Sequence, residues 1–404
     1  MGQSTFPVPS SGSSTSTVLP VNASSVILDG SLTSAGTYTT TVNGNGGIAY
    51  LTATDNNAIF TVGGIPYPVS AGSTVATTAV VGSSTSATVS AYGATWTGTP
   101  SSFTATSMPS DYYSTVAYGN GLFVATPGGT TGKIYYSING STWVTSVLPS
   151  TGYSGYIAFG NGYFVIAGTT NTYYSTNGKT WSTGAPVSLV TNISYGNGIF
   201  IVCAGSGTSA FVSINNGISW TTVTLPTNHY WNVSSYGLIG GTGYYNIFNG
   251  SASTDFCYST NGFTWTAGSL PTSRSIYATV YGNGKFIAIG PDTTATWFYS
   301  TDGINYNNMT MPSSTNWYAA CYGNGYFIAA KYGSTAAGYS TNGTTWTAGT
   351  MPSAGYWYSI AYGNGTYVAT QQNTKTANAY FNFTTATYTF PVNFGIYNGP
   401  TTIN

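Results

Sequence analysis

The sequence contains very little charge: six of its 404 residues are Lys or Arg, six are Asp or Glu, one is His, and the formal net charge is zero. It has no Glu, and its only Arg and its only His are Arg274 and His229. A chain with so few cations has no basic field, so we expect no nucleic-acid partner. Without further histidines or paired cysteines, no zinc site can be assembled. We therefore expect no metal site and no cofactor.

Long apolar runs are also missing, since no stretch of eighteen apolar residues occurs, and we expect no membrane insertion. The segment Met1 to Phe6 has neither positive charge nor an apolar centre, which argues against an ordinary signal peptide. Cys203, Cys257 and Cys321 lie in or beside apolar segments, and we interpret them as buried, unpaired thiols of a protein made in a reducing cytoplasm. A surface of Ser, Thr, Gly and Asn nevertheless suits the outside of a cell. A virion component, made in the host cytoplasm and used outside it, satisfies both observations.

Aromatic residues are abundant, and 36 Tyr, 18 Phe and 10 Trp supply enough apolar area for an ordered core. They recur in an aromatic-Gly motif, usually Tyr-Gly-Asn-Gly, that precedes an apolar run. The motif starts at Tyr118, Phe159, Tyr195, Tyr236, Tyr281, Tyr322 and Tyr362, with spacings of 41, 36, 41, 45, 41 and 40 residues. A period of about forty residues made of short β segments is typical of propeller blades.

A second motif, Tyr-Ser-Thr-Asn-Gly-x-Thr-Trp or a close variant, alternates with the first. Its copies are Tyr136–Trp143, Tyr174–Trp181, Tyr258–Trp265 and Tyr339–Trp346, with weaker ones at Val212–Trp220 and Tyr299–Tyr306. Both motifs place Asn-Gly, or Asp-Gly at Asp302, between β-prone residues, as two-residue hairpin turns require. Each unit therefore reads as two hairpins, or four strands. The turn residues are Asn120, Gly121, Asn161, Gly162, Asn177, Gly178, Asn197, Gly198, Asn261, Gly262, Asn283, Gly284, Asn324, Gly325, Asn342, Gly343, Asn364 and Gly365.

The repeats predict an all-β protein whose residues 101–390 form a seven-bladed β-propeller of four-stranded blades. We expect the strand around Phe103 to complete the blade built by Tyr356 to Phe383 and so to close the ring. Residues 24–95 contain short alternating runs and predict a small β-sandwich or barrel that serves as an anchoring domain. Residues 1–23 read as an extended Ser/Thr-rich arm, and residues 391–404 as a C-terminal tail.

The two faces of the predicted propeller differ in sequence. The Asn-Gly turns share one face, here called the turn face, and hardly differ between units. The opposite face, here called the varied face, collects the second-to-third loops and the crossings between blades, which are rich in aromatic residues. Tyr and Trp stack on the C–H faces of sugars while polar groups bond hydroxyls, although the same aromatics could instead pack between blades. Candidate glycan contacts are Asp111, Tyr112, Tyr113, Tyr153, His229, Tyr230, Trp231, Arg274, Trp317, Tyr356 and Trp357.

The Ser-Thr-Asn-Gly-x-Thr-Trp units resemble the Asp-box of sialidase-type propellers, and Ser213–Trp220 has the full Asp-box length with Asn in place of Asp. Asp-boxes are hairpin turns remote from any active site, so this resemblance implies a fold only. Sialidases use three arginines and a Tyr activated by Glu, whereas this chain has one Arg and no Glu. A conventional glycosidase needs two suitably spaced carboxylates, and Asp111, Asp255 and Asp292 come from different blades. We therefore expect no enzymatic activity.

The alternation of the two motifs also resembles repeat propellers in structural proteins of bacteriophages, including tail fibres and virion-surface proteins. That resemblance implies a non-enzymatic virion-surface protein, attached to other virion proteins through its N-terminal region, whose propeller binds host-surface polysaccharide. It also implies a homo-oligomer, with a trimer favoured. Two alternatives remain: a capsid or tail decoration protein whose propeller contacts other virion proteins, and a bacterial surface lectin.

Overall fold

The structure is a computed structural model that describes residues 99–372, except 107, 110, 130, 151–154, 169, 315 and 364, and the backbone of the strands on either side. The chain divides into two units: one comprises Met1–Gly98 and Phe383–Asn404, and the other comprises Thr99–Asn382. All regular elements in the described part are β-strands, numbered here in chain order. No helix there is long and apolar enough to cross a membrane.

The described strands of the first unit form two larger sheets and one strand pair. One sheet has the order β1-β3-β8-β5-β6, the second has β2-β4-β37 with β7 also paired to β4, and β36 pairs with β9. The sequence placed the end of the propeller at residue 390, but β36 and β37 pair with strands of this unit, so the propeller strands end at Asn382. The strands are β1 (Thr17–Val18), β2 (Ser25–Ile27), β3 (Tyr38–Thr41), β4 (Gly47–Ala53), β5 (Ala58–Val62), β6 (Ile65–Val69), β7 (Thr74–Ala79), β8 (Thr88–Gly93), β9 (Thr95–Thr97), β36 (Thr384–Thr387) and β37 (Val392–Asn393).

The second unit is a β-propeller in which five sheets are four-stranded and antiparallel, each with its strands in chain order. The first strand of each sheet ends at an aromatic-Gly motif. The strands are β11 (Tyr113–Gly119), β12 (Leu122–Pro127), β13 (Lys133–Ser137) and β14 (Val144–Val147); β15 (Tyr156–Gly160), β16 (Tyr163–Ala167), β17 (Thr172–Ser175) and β18 (Ser182–Gly184); β19 (Val190–Gly196), β20 (Ile199–Ala204), β21 (Ser209–Ser213) and β22 (Thr221–Thr224); β23 (Trp231–Ile239), β24 (Thr242–Asn249), β25 (Ser253–Ser259) and β26 (Thr266–Arg274); β27 (Ala278–Gly282), β28 (Lys285–Ile289), β29 (Thr296–Ser300) and β30 (Asn307–Thr310).

A sixth sheet has six strands in the order β10-β35-β34-β33-β32-β31. Its strands are β10 (Thr104–Thr106), β31 (Trp317–Gly323), β32 (Tyr326–Ser340), β33 (Thr347–Gly363), β34 (Thr366–Gln371) and β35 (Asn378–Asn382). The last two repeats are joined because the crossing stays extended through Pro352, and Tyr356 pairs with Tyr332. Strand β10 pairs antiparallel with β35, which is the predicted closure by the N-terminal strand.

The aromatic-Gly motif makes the contacts between successive repeats. A Cβ atom built on Gly119 would lie 2.1 Å from the Phe159 ring, so only glycine allows the next repeat's aromatic ring to pack there. The same approach, at 2.0–2.2 Å, joins Gly160 to Tyr195, Gly196 to Tyr236, Gly237 to Tyr281, Gly282 to Tyr322, Gly323 to Tyr362 and Gly363 to Tyr118. The last contact returns to the first repeat, so the seven contacts form a closed ring, here called the glycine–aromatic ring.

The first motif forms the predicted two-residue turns. Asn120 and Gly121 have φ values of 46° and 77°, as a type I′ hairpin requires. Both residues also have positive φ in Asn161–Gly162, Asn197–Gly198, Asn283–Gly284 and Asn324–Gly325, whereas Asn364 lies outside the described residues. In these five repeats the first motif folds the aromatic-Gly strand back on its neighbour by turn chemistry, and in the fourth repeat Gly240 and Gly241 take the same positive-φ positions.

The second motif does not form a two-residue turn, contrary to the prediction. In its copy between β17 and β18, only Gly178 has positive φ. Asn177 Oδ1 accepts hydrogen bonds from the N–H groups of Lys179 and Thr180, each at 2.9 Å, and Ser175 Oγ accepts one from Gly178 N at 2.8 Å. The Asn side chain thus organises a longer loop, in place of a backbone turn.

Candidate functional site

A cavity of about 120 Å³ lies among the first strands of the repeats. Every one of these strands, or the residue just before it, contributes to the lining. The side chains are hydroxyls, amides, tyrosine rings and small apolar groups, and none of them is charged. The lining residues other than apolar ones are Thr115, Tyr156, Thr191, Asn192, Asn232, Ser234, Tyr277, Thr279, Tyr318, Tyr358 and Ser359.

These residues lie toward the starts of the first strands, and the Asn-Gly turns lie at their ends. On the turn face, neighbouring turns touch: Asn120 Nδ2 donates to Gly162 O at 3.0 Å and to Thr176 O at 2.7 Å. Asn161 Nδ2 likewise donates to Asn216 Oδ1 at 3.0 Å. The cavity therefore lies toward the varied face.

Polar side chains beside the cavity also hold neighbouring first strands together. Thr115 Oγ1 accepts a hydrogen bond from Ile157 N at 2.9 Å, and Ser359 Oγ accepts one from Val116 N at 3.2 Å. Thr191 Oγ1 donates to Trp231 O at 2.6 Å. Since first strands of adjacent sheets share no backbone ladder, these bonds satisfy buried groups and fix the positions of the strands.

Two of the cavity tyrosines, Tyr277 and Tyr318, are neutral phenols. Burial raises the pKa of Tyr277, and the neighbouring Tyr230 and Asp292 raise it further. Burial also raises the pKa of Tyr318, with added contributions from Tyr277 and Tyr332. Because an ordinary tyrosine has a pKa near 10, both hydroxyls remain protonated at neutral pH and can donate or accept hydrogen bonds.

The three tryptophans among the candidate contacts belong to the core. Trp231, Trp317 and Trp357 are 0% exposed. Their indole N–H groups donate to the carbonyl oxygens of Gly207, Ser313 and Ser353 at 3.1, 3.1 and 3.3 Å. A ring with no exposed face offers no platform to a sugar, so the packing interpretation applies to these residues, and the prediction of ligand contact is wrong for them.

The remaining aromatic candidates differ in exposure. Tyr113 is 2% exposed, and its hydroxyl donates to Pro109 O, so it is also a packing residue. Tyr112, Tyr230 and Tyr356 are 41%, 45% and 37% exposed and present aromatic surface to solvent. Tyr153 lies outside the described residues.

The polar candidates form local pairs. Asp111 accepts hydrogen bonds from the Tyr135 hydroxyl at 3.0 Å and from Tyr112 N at 2.9 Å. Arg274 Nε lies 3.9 Å from Asp292 Oδ2.

His229 is held at both ring nitrogens. Asn249 Nδ2 donates to Nδ1 at 3.0 Å, so Nε2 carries the proton that is shared with Asp255 Oδ2 at 2.7 Å. Both ring nitrogens are therefore engaged by neighbouring side chains. Among the described residues, no cluster of three His, Cys, Asp or Glu could hold a metal ion.

None of the ten candidates in the described part of the chain lines the cavity, although several are adjacent in sequence to residues that do. Trp317 precedes Tyr318, and Trp357 precedes Tyr358. The strand pairing shifts register at Tyr318 and at Tyr358, so each tryptophan keeps its place in the ladder and enters the core, while the following tyrosine at the bulge reaches the cavity. Counting four residues back from each motif aromatic would have identified Tyr277, Tyr318 and Tyr358.

Comparison with known proteins shows the fold only. No protein-family model and no curated protein matches the chain. Among solved structures, a streptogramin B lyase is similar at 13% identity and a TM-score of 0.60, covering 69% of this chain and 97% of that one. YCF48 from Cyanidioschyzon merolae has 15% identity and a TM-score of 0.52, covering 69% and 98%. The WD40 propeller domain of Doa1 has 13% identity and a TM-score of 0.53, covering 70% and 97%.

Proposed function

We propose that this protein is a non-enzymatic bacteriophage virion protein, a tail fibre or surface spike, whose propeller recognises host-surface glycan through its varied face. The observation that carries the proposal is the uncharged cavity of hydroxyls, amides and tyrosine rings on that side of the propeller. Sugars present both apolar C–H faces and hydroxyl groups, and this lining offers partners for both. The exposed rings of Tyr112, Tyr230 and Tyr356 add aromatic surface outside the cavity.

The proposal includes seven blades, with the six-stranded sheet counted as two blades joined through β33. The glycine–aromatic ring supports this count, because it has seven members and the last one contacts the first. A second repeating contact agrees, since each motif aromatic lies 4.6–4.9 Å from an aromatic ring of the following strand in all seven repeats. In β32, Gly333 has a φ of 73°, which marks the turn between two strands of one blade.

The absence of enzymatic activity is supported by the positions and contacts of the Asp carboxylates. No carboxylate lines the cavity. Asp111 is bonded to Tyr135, Asp255 to His229, and Asp292 is close to Arg274, so each belongs to a separate local pair. Hydrolysis of a glycosidic bond by the usual route needs two carboxylates flanking that bond, and these three do not provide such a pair.

In this proposal the unit formed by the chain termini attaches the protein to other virion proteins, and the protein is a homo-oligomer, with a trimer favoured. The phage role is supported by the alternation of the two motifs and by the nearly uncharged Ser, Thr, Gly and Asn surface. The protein would be made in the host cytoplasm and would act on the virion surface.

The test is the binding of the fluorescently labelled full chain to a panel of bacterial strains with chemically distinct surface polysaccharides. Saturable binding to a narrow set of strains, competed by their extracted polysaccharide, is the expected result. Failure of a folded chain to bind any strain, together with binding to purified virion shells, would replace the proposal with a decoration role.

A further inference from the structure

The cavity has two unlike sides although the repeats around it are alike. At the position four residues before the motif aromatic, three consecutive repeats have tyrosine: Tyr277, Tyr318 and Tyr358. The other four repeats have Ser114, Gly155, Thr191 and Asn232 at this position; Thr191 and Asn232 line the cavity, whereas the first two repeats reach it through the next residues, Thr115 and Tyr156. The glycine–aromatic ring is the same in all seven repeats, so the scaffold does not require this difference. Positions that line a cavity and vary among repeats sharing the same inter-repeat contact have the pattern expected of a recognition site.

The aromatic side of the cavity continues outward to the surface. The Tyr277 and Tyr318 ring centroids are 4.9 Å apart, Tyr318 and Tyr332 are 4.6 Å apart, and Tyr332 and Tyr356 are 4.4 Å apart. We call these four rings the tyrosine file. It begins in the cavity lining and ends at Tyr356, which is exposed. A chain of sugars could therefore contact aromatic surface continuously from solvent to the cavity.

Two amide groups supply directional partners on the other side. Asn192 Oδ1 accepts hydrogen bonds from Ser234 N and Oγ, both at 3.2 Å, which leaves Asn192 Nδ2 without a partner among the described residues. Asn232 Nδ2 donates a hydrogen bond to Ile276 O at 2.9 Å. The Oδ1 atom of Asn232 has no hydrogen-bond partner among the described residues. In each amide one atom is hydrogen-bonded to the protein, and the other atom is available to a ligand. A ligand would meet a donor and an acceptor whose orientations are already fixed, so little entropy is lost on binding.

Charge and size restrict the ligand further. No charged side chain lines the cavity, so an acidic sugar would lose hydration there without gaining an ion pair. The cavity volume of about 120 Å³ is below the range of roughly 300–1,000 Å³ that encloses a whole drug-sized ligand. It therefore suits a single sugar unit, with the remainder of the chain outside.

Resting on the proposed function, we propose that the cavity binds the terminal unit of a neutral polysaccharide chain. The hydroxyls of that unit bond to Asn192 and Asn232, its C–H face contacts the tyrosine side, and the following units lie along the tyrosine file toward Tyr356. The protein thus recognises chain ends and not internal segments.

The experiment measures binding of the full chain to immobilised linear neutral oligosaccharides, to the same molecules with blocked ends, and to acidic oligosaccharides, alongside the bacterial panel. Tyr318→Ala removes the centre of the aromatic side, and Asn192→Asp replaces the Nδ2 donor while keeping the oxygen that bonds Ser234. Tyr163→Ala is the matched control, because Tyr163 is also a half-buried tyrosine but follows a turn on the opposite face. Its ring centroid lies 6.4 Å from that of Tyr174. Denaturant unfolding confirms that each variant is folded.

The expected result is binding to open-ended neutral chains, reduced at least about ten-fold by Tyr318→Ala and by Asn192→Asp and unchanged by Tyr163→Ala. Equal binding of blocked and open ends, a preference for acidic chains, or cell binding that Tyr318→Ala leaves intact would overturn this inference while leaving glycan recognition standing. If the folded wild type binds neither sugars nor cells, both the inference and the proposed function fail.

Discussion

Replacing Gly363 with Ala tests whether the glycine–aromatic ring closes the propeller. A Cβ atom at Gly363 would lie 2.0 Å from Cγ of Tyr118, the aromatic residue of the first repeat. Carbon atoms in contact are normally about 3.5–4.0 Å apart, so the strand or the ring must move by roughly 1.5 Å or more. Overpacking of this kind costs about 1–3 kcal/mol of the free energy of unfolding.

The assay is thermal and denaturant unfolding of the full chain. For a domain of this size, each kcal/mol lost lowers the midpoint temperature by roughly 2–4 °C. Gly129→Ala is the control, because nothing lies within 4 Å of a Cβ built there and its φ is not positive. Its effect should stay within about 0.5 kcal/mol.

A double-mutant cycle locates the effect. The losses in unfolding free energy caused by Gly363→Ala and Tyr118→Ala should be non-additive by about 0.5–3 kcal/mol. The reason is that Tyr118→Ala removes the ring with which the new Cβ atom clashes. Gly363→Ala combined with Tyr195→Ala should be additive within about 0.5 kcal/mol, since Tyr195 packs on Gly160. Additivity in the first pair, or a Gly363→Ala variant as stable as Gly129→Ala, would refute the closed ring.

Three further predictions concern packing, acid sensitivity and thiol reactivity. Trp317→Ala should lower the free energy of unfolding by about 3–5 kcal/mol, since its indole is fully buried; a smaller loss in denaturant unfolding would contradict a core role. Burial by itself would raise the pKa of Asp302, but hydrogen bonds from Asn305, Ile304 and Ser300 lower it overall, so the folded state gains stability above the unfolded pKa of about 3.9 and loses it as pH falls through the folded pKa. Asp302→Asn should remove this part of the pH dependence, and unchanged midpoints across an acid titration would argue against it. Burial raises the pKa of Cys203 and Cys257 to about 12, so a thiol reagent at neutral pH should label them only after unfolding, and rapid labelling of the native protein would refute their burial.

The sequence predicts those parts of the propeller that depend on local chemistry repeated many times. Asn-Gly fixes the turn after the first strand in five repeats because both residues adopt positive φ, as at Asn120 and Gly121. The structural role predicted for Asp302 is confirmed, since its carboxylate accepts the N–H groups of Ile304 and Asn305 at 2.9 and 2.7 Å. The burial predicted for the thiols is confirmed at Cys203 and Cys257, whereas Cys321 is only partly buried.

The site was harder to predict because it depends on which side of each first strand faces the cavity. Trp357 and Tyr358 are equally aromatic and adjacent, and their composition gives no preference between core and cavity. The choice is set by strand register, which places Trp357 opposite Gln371 and in the core. The second motif was misjudged for a related reason, since the Asn177 side chain replaces backbone contacts that a two-residue turn would have made.

The glycine–aromatic ring also bears on how such a chain can change over evolutionary time. Every repeat presents the same glycine to one neighbour and an aromatic ring to the other, so this contact does not distinguish one repeat from another. A duplicated or exchanged repeat would bring its own cavity residue to a new place in the circle without a compensating change in this ring. The order of Tyr277, Tyr318 and Tyr358 around the cavity can therefore be rearranged by recombination of whole repeats, and a new arrangement of side chains can arise before any single residue has mutated.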